Sequence, residues 1–516
     1  MAKILWADDE IDMLKPHLLA LSQSGHELVT VSNGHDALEE IRDQNDFDIV
    51  FLDESMPGLT GLQTLAQIKA LNPLIPIVMI TRNEAEDVMK IAIGSDIADY
   101  LTKPVNPSQL QLTILKIMNN TRLVREKNVG DFQREFRNLS STINGGLDLE
   151  EWVKVYREII GWEIKLDDSD DETVIGMLTN LKSEANATYG RFVTKNYLHW
   201  MQQGNGPLMS HELMQKKVFS HIQSDKPTLF LLLDNLRYDQ WKVIEPIIAE
   251  LYRVEDEDYF FSILPTATQY SRNAIFAGLT PLEIAKKYPK WWLNDFDEGG
   301  KNQFEKELFG EQVNRVFRKP VKFDYIKVSS GPNARQVQDN VLNYLNNDIT
   351  LLVYNFIDVM SHNRTEMGVL KELAPSEKGY RDLTRTWFLN SPLWAALKKA
   401  AERKMQLFIT TDHGTIRVNK PVGVGADRET STSLRYKAGR NINVDKNADV
   451  FTITEPAKAG LPSPNMTTTY VFTKNDQYLL YPNNYNEYKN KFADSFQHGG
   501  ISLEEMICPV IRLSPK

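Results

Sequence analysis

The stretch 48–61, DIVFLDESMPGLTG, runs four apolar residues into Asp53 and then into a Pro-Gly turn. A short apolar run ended by turn residues predicts a strand buried on both faces. Asp53 then stands at its carboxyl end. The same figure repeats outward in both directions. Toward the N-terminus, residues 28–31 and 4–7 predict strands, the second running into Asp8, Asp9 and Glu10. Residues 13–24 and 37–43 predict helices between them. Toward the C-terminus, 62–71 predicts a helix and 77–80 a strand ending at Thr81. A helix follows over 85–93, then a strand over 98–101 ahead of Lys103, and a last helix over 107–119. This alternation predicts an α/β unit with a doubly wound, mostly parallel sheet over residues 1–120.

Ligands of such a sheet bind beyond the carboxyl ends of its strands. Here those ends carry Asp8, Asp9, Asp53, Thr81 and Lys103. Three converging carboxylates repel one another without a cation, and Mg²⁺ is a hard ion that prefers oxygen ligands. A carboxylate beside it can accept a phosphoryl group as a nucleophile. Lys103 then neutralises a phosphoryl oxygen and Thr81 donates to another. The segments ILWADDE, FLDESMPGLTG, MITR and DYLTKPV resemble a response-regulator receiver domain of flavodoxin-like fold. The resemblance implies Asp53 as phospho-acceptor, Asp8 and Asp9 with Asp53 as the Mg²⁺ ligands, and Thr81 as the switch hydroxyl. It further implies Tyr100 as the switch aromatic and Lys103 as the lysine of the phosphorylation site.

The character of the chain changes twice more. Over 121–205 apolar positions recur at helical spacing, as in Trp152, Val155, Tyr156, Ile159 and Ile160, which predicts a helical middle module. Its acidic run 167–172 reads as a solvated turn or helix start. From 206 to 516 strands return at 228–233, 260–264, 325–328, 350–357 and 406–410, separated by helices such as 336–345 and 393–402. This is a second, larger α/β domain.

Five segments of that domain carry polar residues of one chemical kind. LLLDNLRYDQW places Asp234 just beyond a strand. LPTATQYSRNAIFAGLTP places Thr268 between a strand and a helix. NFIDVMSHNR gives Asp358 and His362, FITTDHGT gives Asp412 and His413, and SFQHGGISLEEMICPVI gives His498. Imidazole, carboxylate and hydroxyl donors in this number suit two four-coordinate Zn²⁺ ions with positions left open. Two such ions serve the attacking and leaving oxygens of a phosphoryl transfer. Arg272, one helical turn beyond Thr268, either grips a phosphate bidentately or forms a surface ion pair. The set resembles the alkaline phosphatase superfamily, and most of all its PglZ branch. The resemblance implies one zinc site from Asp234, Thr268, Asp412 and His413, and a second from Asp358, His362 and His498. Thr268 becomes the nucleophile.

The 516 residues are 42% hydrophobic and 25% charged, which excludes a disordered or fibrous chain. A net charge of −10 argues against broad nucleic-acid binding, and no helix-turn-helix or basic recognition helix is evident. The one cysteine, Cys508, excludes an internal disulfide and fits a reducing compartment. The acidic start MAKILWADDE predicts no secretory signal, and no apolar run is long enough for membrane insertion, so a cytoplasmic location is expected. Trp291-Trp292 either stacks on a base or anchors helix packing. Tyr478, Tyr481, Tyr485 and Tyr488 read as rim or core residues, and Cys508 as a small buried hydrophobe.

The order receiver, helical module, PglZ-like domain is similar to that of response regulators linked to type IX secretion. The likeness implies a PorY-like histidine kinase, a PorL-like motor component and an alternative sigma factor as partners. Two functions follow from the residues. One is a phosphorylation-controlled zinc phosphodiesterase acting on an oligonucleotide or cyclic nucleotide. The other is a scaffold that forms a homodimer on phosphorylation and keeps zinc for structure. An intact Thr268 favours the first, since a scaffold needs no nucleophile.

Overall fold

Five short strands, β1 (Lys3–Ala7), β2 (Glu27–Val31), β3 (Ile49–Asp53), β4 (Ile77–Thr81) and β5 (Asp99–Thr102), pair in parallel in the computed structural model. Their order is β2-β1-β3-β4-β5, the flavodoxin-like arrangement, with the strand order reversing between β1 and β3. The period-two alternation of β3 feeds two cores at once. Val50 and Leu52 meet Leu38 and Ile41 of the helix Gly34–Asp43 and Leu65 and Ile68 of Gly61–Leu71. Ile49 and Phe51 meet Leu21 of Lys15–Gln23 and Leu110, Ile114 and Ile117 of the helix Pro107–Asn144. Burial on both faces is why the sequence of β3 reads as a continuous apolar run. The description covers residues 2–516 except 45, 73–74, 83–96, 170, 205, 224, 330, 367–371, 373, 428–429, 447 and 484. The helix expected over 85–93 therefore lies outside the described residues.

The chain divides into two compact units, Met1–Asp131 and Phe132–Lys516. From Phe132 onward the middle module belongs to the second. Asp148 caps the helix Leu149–Lys165 and Asp171 caps Glu172–Gln203, each accepting from first-turn N–H groups. The buried stripe Val174, Leu178, Leu181, Ala185, Tyr189, Val193, Tyr197 and Trp200 follows the helical period. The acidic run is not simply solvated. Asp168 pairs with Lys378 at 2.7 Å, and Asp167 pairs with the buried Arg381.

The larger α/β domain is built on a six-stranded sheet. Its order is Tyr252–Phe261, Ile507–Pro515, Gln406–Thr410, Thr228–Leu233, Ile349–Tyr354, Phe323–Val328. The last four are parallel, and Ile507–Pro515 runs antiparallel to both neighbours. Two expected strands differ from those observed. The strand expected over 260–264 is Tyr252–Phe261, because its run of acids at 255–258 hides the pleat. The strand expected over 350–357 ends at Tyr354, and the helix Phe356–Glu366 begins two residues later. Asp358 thus lies in the first turn of a helix.

Candidate metal centre

Asp234 leaves the end of the strand Thr228–Leu233, where its backbone N–H donates to Tyr354 O at 2.9 Å. Asn235 follows with φ 68°, a left-handed conformation that asparagine tolerates better than most residues. Asp412 and His413 follow the adjacent, parallel strand Gln406–Thr410 at the same carboxyl end of the sheet. Thr268 opens the ten-residue helix Thr268–Ala277. Its Oγ lies 3.0 Å from His413 Nε2 and 3.4 Å from Asp234 Oδ1. Asp234, Asp412 and His413 bring donor atoms within 4.8 Å of one another, all of them buried.

Asp358, His362 and His498 make a second such group. Asp358 Oδ1 is 3.4 Å from His362 Nε2 and 3.7 Å from His498 Nε2. The rings of His413 and His498 stack at 4.3 Å, so the two groups are neighbours. Asn235 bridges them. Its N–H donates to Asp412 Oδ1 at 3.3 Å, and its Nδ2 donates to Asp358 Oδ1 at 3.4 Å and to Ser361 Oγ at 3.2 Å.

The protonation pattern fits a divalent cation. A carbonyl can only accept, so His413 Nδ1, 3.1 Å from Gly414 O, carries the proton and leaves Nε2 unprotonated, 3.0 Å from the Thr268 hydroxyl. His498 Nδ1, 3.2 Å from Thr266 O, is fixed in the same way. Burial lowers the pKa of His413, and burial with the charge of His413 pushes His498 down to about 3. Both imidazoles are neutral donors at pH 7. Burial raises Asp234, and the neighbouring Asp412 raises it further. Burial also raises Asp412, whose Oδ2 is buried with no hydrogen-bond partner among the described residues. Arg272 supplies one positive charge, 2.7 Å from Asp234 Oδ2 and 3.8 Å from Asp412 Oδ2, but the two buried carboxylates share that single guanidinium with Glu305, which leaves room for a further cation. For Asp358, burial acts upward but is overcome by His362 and His498, which hold it below the usual carboxylate range.

The loops around these residues are tight. A Cβ on Gly414 would meet Glu504 O at 2.0 Å, so only glycine lets His413 sit this close to the segment after His498. Gly499 has φ 118°, and a Cβ there would meet Tyr436 at 2.6 Å. Thr266 holds the glycine pair from both sides, accepting from Gly499 N at 3.1 Å and donating to Gly500 O at 2.9 Å.

Arg272 faces the first donor set from the interior. Its side chain is 2% exposed, with Nη1 donating to Asp234 Oδ2 at 2.7 Å and Nε to Glu305 Oε1 at 2.5 Å. It forms a buried ion pair rather than a surface one. The segment 288–304 adds Asn302, whose Nδ2 donates to Thr268 O at 3.1 Å. Trp291 stacks between Tyr288 and Phe304, and Trp292 packs edge-on to Tyr270, which leaves packing as the role of that pair. Tyr478 is a core residue, Tyr488 is exposed, and Cys508 is buried with its thiol pKa pushed up by burial. Asn235, Asn302 and Glu305 were missed from the sequence. Only Asn235, next to Asp234 in a turn, carried a local signal.

In the receiver unit, Asp8, Asp9 and Asp53 form a third group of clustered carboxylates. Lys103 Nζ lies 3.0 Å from both Asp8 Oδ2 and Asp53 Oδ1. Burial raises the pKa of Asp53. Thr81 Oγ donates to Glu54, and Tyr100 is 46% exposed.

The family of the BREX system PglZ alkaline phosphatase-like domain matches residues 213–513. The chain belongs to the PglZ family. The PorX response regulator linker domain matches residues 122–201, and the response regulator receiver domain matches 4–115. This is the PorX architecture, a receiver of a two-component system joined through a helical linker to PglZ. The chain is similar to the transcriptional regulatory protein ZraR of Klebsiella oxytoca, 36% identical over 23% of this chain and 27% of the relative. It is also similar to the alkaline phosphatase synthesis transcriptional regulatory protein PhoP of Bacillus subtilis, 29% identical over 23% of this chain and half of the relative. The matched part is thus about a quarter to a half of these relatives. A receiver domain structure from Clostridium thermocellum is 31% identical, covers 24% of this chain and 98% of its own, and has a TM-score of 0.23. A receiver implies a cognate kinase, and an alkaline phosphatase-like domain suggests a metal-dependent hydrolase. Among the described residues no helix is long and apolar enough to cross a membrane.

Proposed function

We propose that the PglZ domain is a zinc-dependent phosphodiesterase acting on oligonucleotides or cyclic nucleotides, under control of phosphorylation at Asp53. The observation that carries the reading is the hydroxyl of Thr268, 3.0 Å from His413 Nε2 and beside two adjacent donor sets. Asp234, Thr268, Asp412 and His413 would hold one Zn²⁺, and Asp358, His362 and His498 a second. When bound, two such ions polarise the phosphoryl group and stabilise charge on the attacking and departing oxygens. The chain itself does the rest. Thr268 gives up its hydroxyl proton to solvent as Oγ forms the new P–O bond, the bond to the departing nucleoside oxygen breaks, and that oxygen takes up a proton from solvent. Water then cleaves the phosphothreonine ester and restores the hydroxyl. First-turn N–H groups of the helix Thr268–Ala277 favour the anionic group.

In the receiver, Asp8, Asp9 and Asp53 would hold Mg²⁺, which offsets phosphoryl charge during transfer to Asp53. Thr81, Lys103 and Tyr100 then relay the change to a homodimer surface. The PorX architecture supports a PorY-like kinase, a PorL-like motor component and an alternative sigma factor as partners. Sedimentation with beryllofluoride and Mg²⁺ should show a shift from monomer to dimer that Asp53→Ala lacks. An unchanged mass would sink the switch.

The chemistry is tested with bis-p-nitrophenyl phosphate, p-nitrophenyl phosphate and short oligonucleotides under equal zinc loading. Diesters should turn over fastest. Thr268→Ala should keep most of its zinc yet lose about 10³-fold or more in rate, as loss of a nucleophile does. Background rates on all three substrates would favour the scaffold reading. Unchanged hydrolysis by Thr268→Ala would exclude that residue as nucleophile.

A further inference from the structure

Arg272 and Glu305 lie outside both donor sets, yet each carries a charge in the interior, with side chains 2% and 1% exposed. Buried charges persist only where they are paired and hydrogen-bonded. Here the pairing forms a string. Arg272 Nη1 holds Asp234 Oδ2 at 2.7 Å and lies 3.8 Å from Asp412 Oδ2. Arg272 Nε holds Glu305 Oε1 at 2.5 Å. Glu305 Oε2 accepts from the Tyr325 hydroxyl and from Lys327 Nζ at 3.1 Å. Lys327 stands on the edge strand Phe323–Val328, its side chain 31% exposed.

The string has a geometric consequence. With Oδ2 of Asp234 taken by Arg272, Oδ1 is the oxygen turned toward Thr268, at 3.4 Å, and His413, at 3.9 Å. Arg272 therefore selects which oxygen the first donor set presents. Glu305 limits how strongly the guanidinium competes for Asp234, because it draws the same charge from the other side.

We infer that Arg272 and Glu305 are positioning residues of the first donor set, a buried charge string that orients Asp234 and sets how strongly that set attracts a divalent cation. This rests on the zinc reading above. The sign of each substitution follows from charge. Glu305→Gln removes negative charge behind Arg272, so the guanidinium pulls harder on Asp234 and the field at the donors becomes more positive. Cation binding weakens. Lys327→Met removes positive charge from the far end, and binding tightens. Interior charges act over these distances because screening is weak.

The test uses full-length protein, zinc alone, and competition with a chromophoric chelator, with Co²⁺ substitution as a spectroscopic readout. Glu305→Gln should weaken zinc binding at one of two sites about tenfold and shift the cobalt absorption, while Lys327→Met tightens it several-fold. Lys306→Met, which removes a surface partner of Asp324, should change neither. Inorganic phosphate should bind zinc-saturated Glu305→Gln at least as tightly as the wild type, since the field there is more positive. Unchanged zinc affinity and cobalt spectrum in Glu305→Gln would overturn the inference. So would zinc affinity that stays level in Lys327→Met, the arm least able to disturb folding. Phosphate binding lost in Arg272→Lys with zinc affinity intact would instead make Arg272 a substrate ligand. A wild type that binds no zinc would overturn the zinc reading, and the inference with it.

Discussion

Lys437 is an ammonium in a place that resists it. The residue is 1% exposed, its Nζ donates to Ser431 O at 3.0 Å, and it lies 4.6 Å over the ring of Tyr481. Burial pushes its pKa down to about 8, against an upward pull from Asp295. Below pH 8 both folded and unfolded chains carry the proton, and the folded state bears the full cost of the buried charge. Between about 8 and 10.5 only the unfolded chain keeps the proton, so the native state gains stability as pH rises through that window. The gain is of order 3 kcal/mol at most, from the size of the shift. Lys437→Met removes the cost and the slope together. Denaturant midpoints at pH 7 and pH 9.5 should differ less in this variant than in the wild type, with the variant more stable at pH 7. A wild-type midpoint that does not rise relative to the variant would mean that Lys437 stays charged through this range.

At the scale of elements, the helical module reaches the segment that carries His498. Asn186, buried on the helix Glu172–Gln203, donates Nδ2 to Glu504 Oε2 at 3.0 Å and accepts from Leu503 N at 2.8 Å. Glu505 in the same turn accepts from Gly500 N at 2.8 Å and pairs with the buried Arg435 at 2.6 Å. Asn186→Ala leaves a buried N–H and a buried carboxylate short of a partner, which costs about 1–3 kcal/mol. Its denaturant midpoint should fall accordingly, and zinc should leave the His498 set at lower chelator concentration. A stable variant with unaltered zinc retention would separate the module from the site. None of this coupling was legible in the sequence, because Asn186 and Leu503 are more than 300 residues apart and Asn186 belongs to no motif, although Leu503 lies in the segment that carries His498. The strands that carry the donors were legible, since Thr228–Leu233 and Gln406–Thr410 are apolar and buried on both faces. Asp234, Asp412 and His413 follow the ends of such strands, whereas Thr268 opens a helix seven residues after Phe261 and His498 follows the three-residue strand Ser495–Gln497. The partners of Arg272 were not legible because helical spacing says which way a side chain faces and not which carboxylates meet it there.

For the whole molecule, donors that hold zinc as proposed would act as cross-links. They come from five separate stretches between Asp234 and His498, and among the described residues the chain has one cysteine and no disulfide to hold those stretches together. A cation bound only by the folded state stabilises it by mass action, by about 4 kcal/mol at a thousandfold excess over Kd. The carboxylates of Asp234 and Asp412 and the neutral imidazoles of His413 and His498 are already set for such an ion, so little of that binding is spent on reorganisation. Calorimetry of the full chain should therefore show EDTA lowering the transition that belongs to residues 132–516, with zinc restoring it and Mg²⁺ failing to do so. The receiver transition should respond in the opposite way, rising with Mg²⁺ through Asp8, Asp9 and Asp53 and indifferent to zinc at low concentration. His498→Ala should reduce the zinc-dependent part of the first transition without removing it, because Asp234, Asp412 and His413 stay in place. If EDTA moves neither transition, the buried carboxylates must be carried protonated, as their raised pKa values permit, and the donor sets serve something other than a metal.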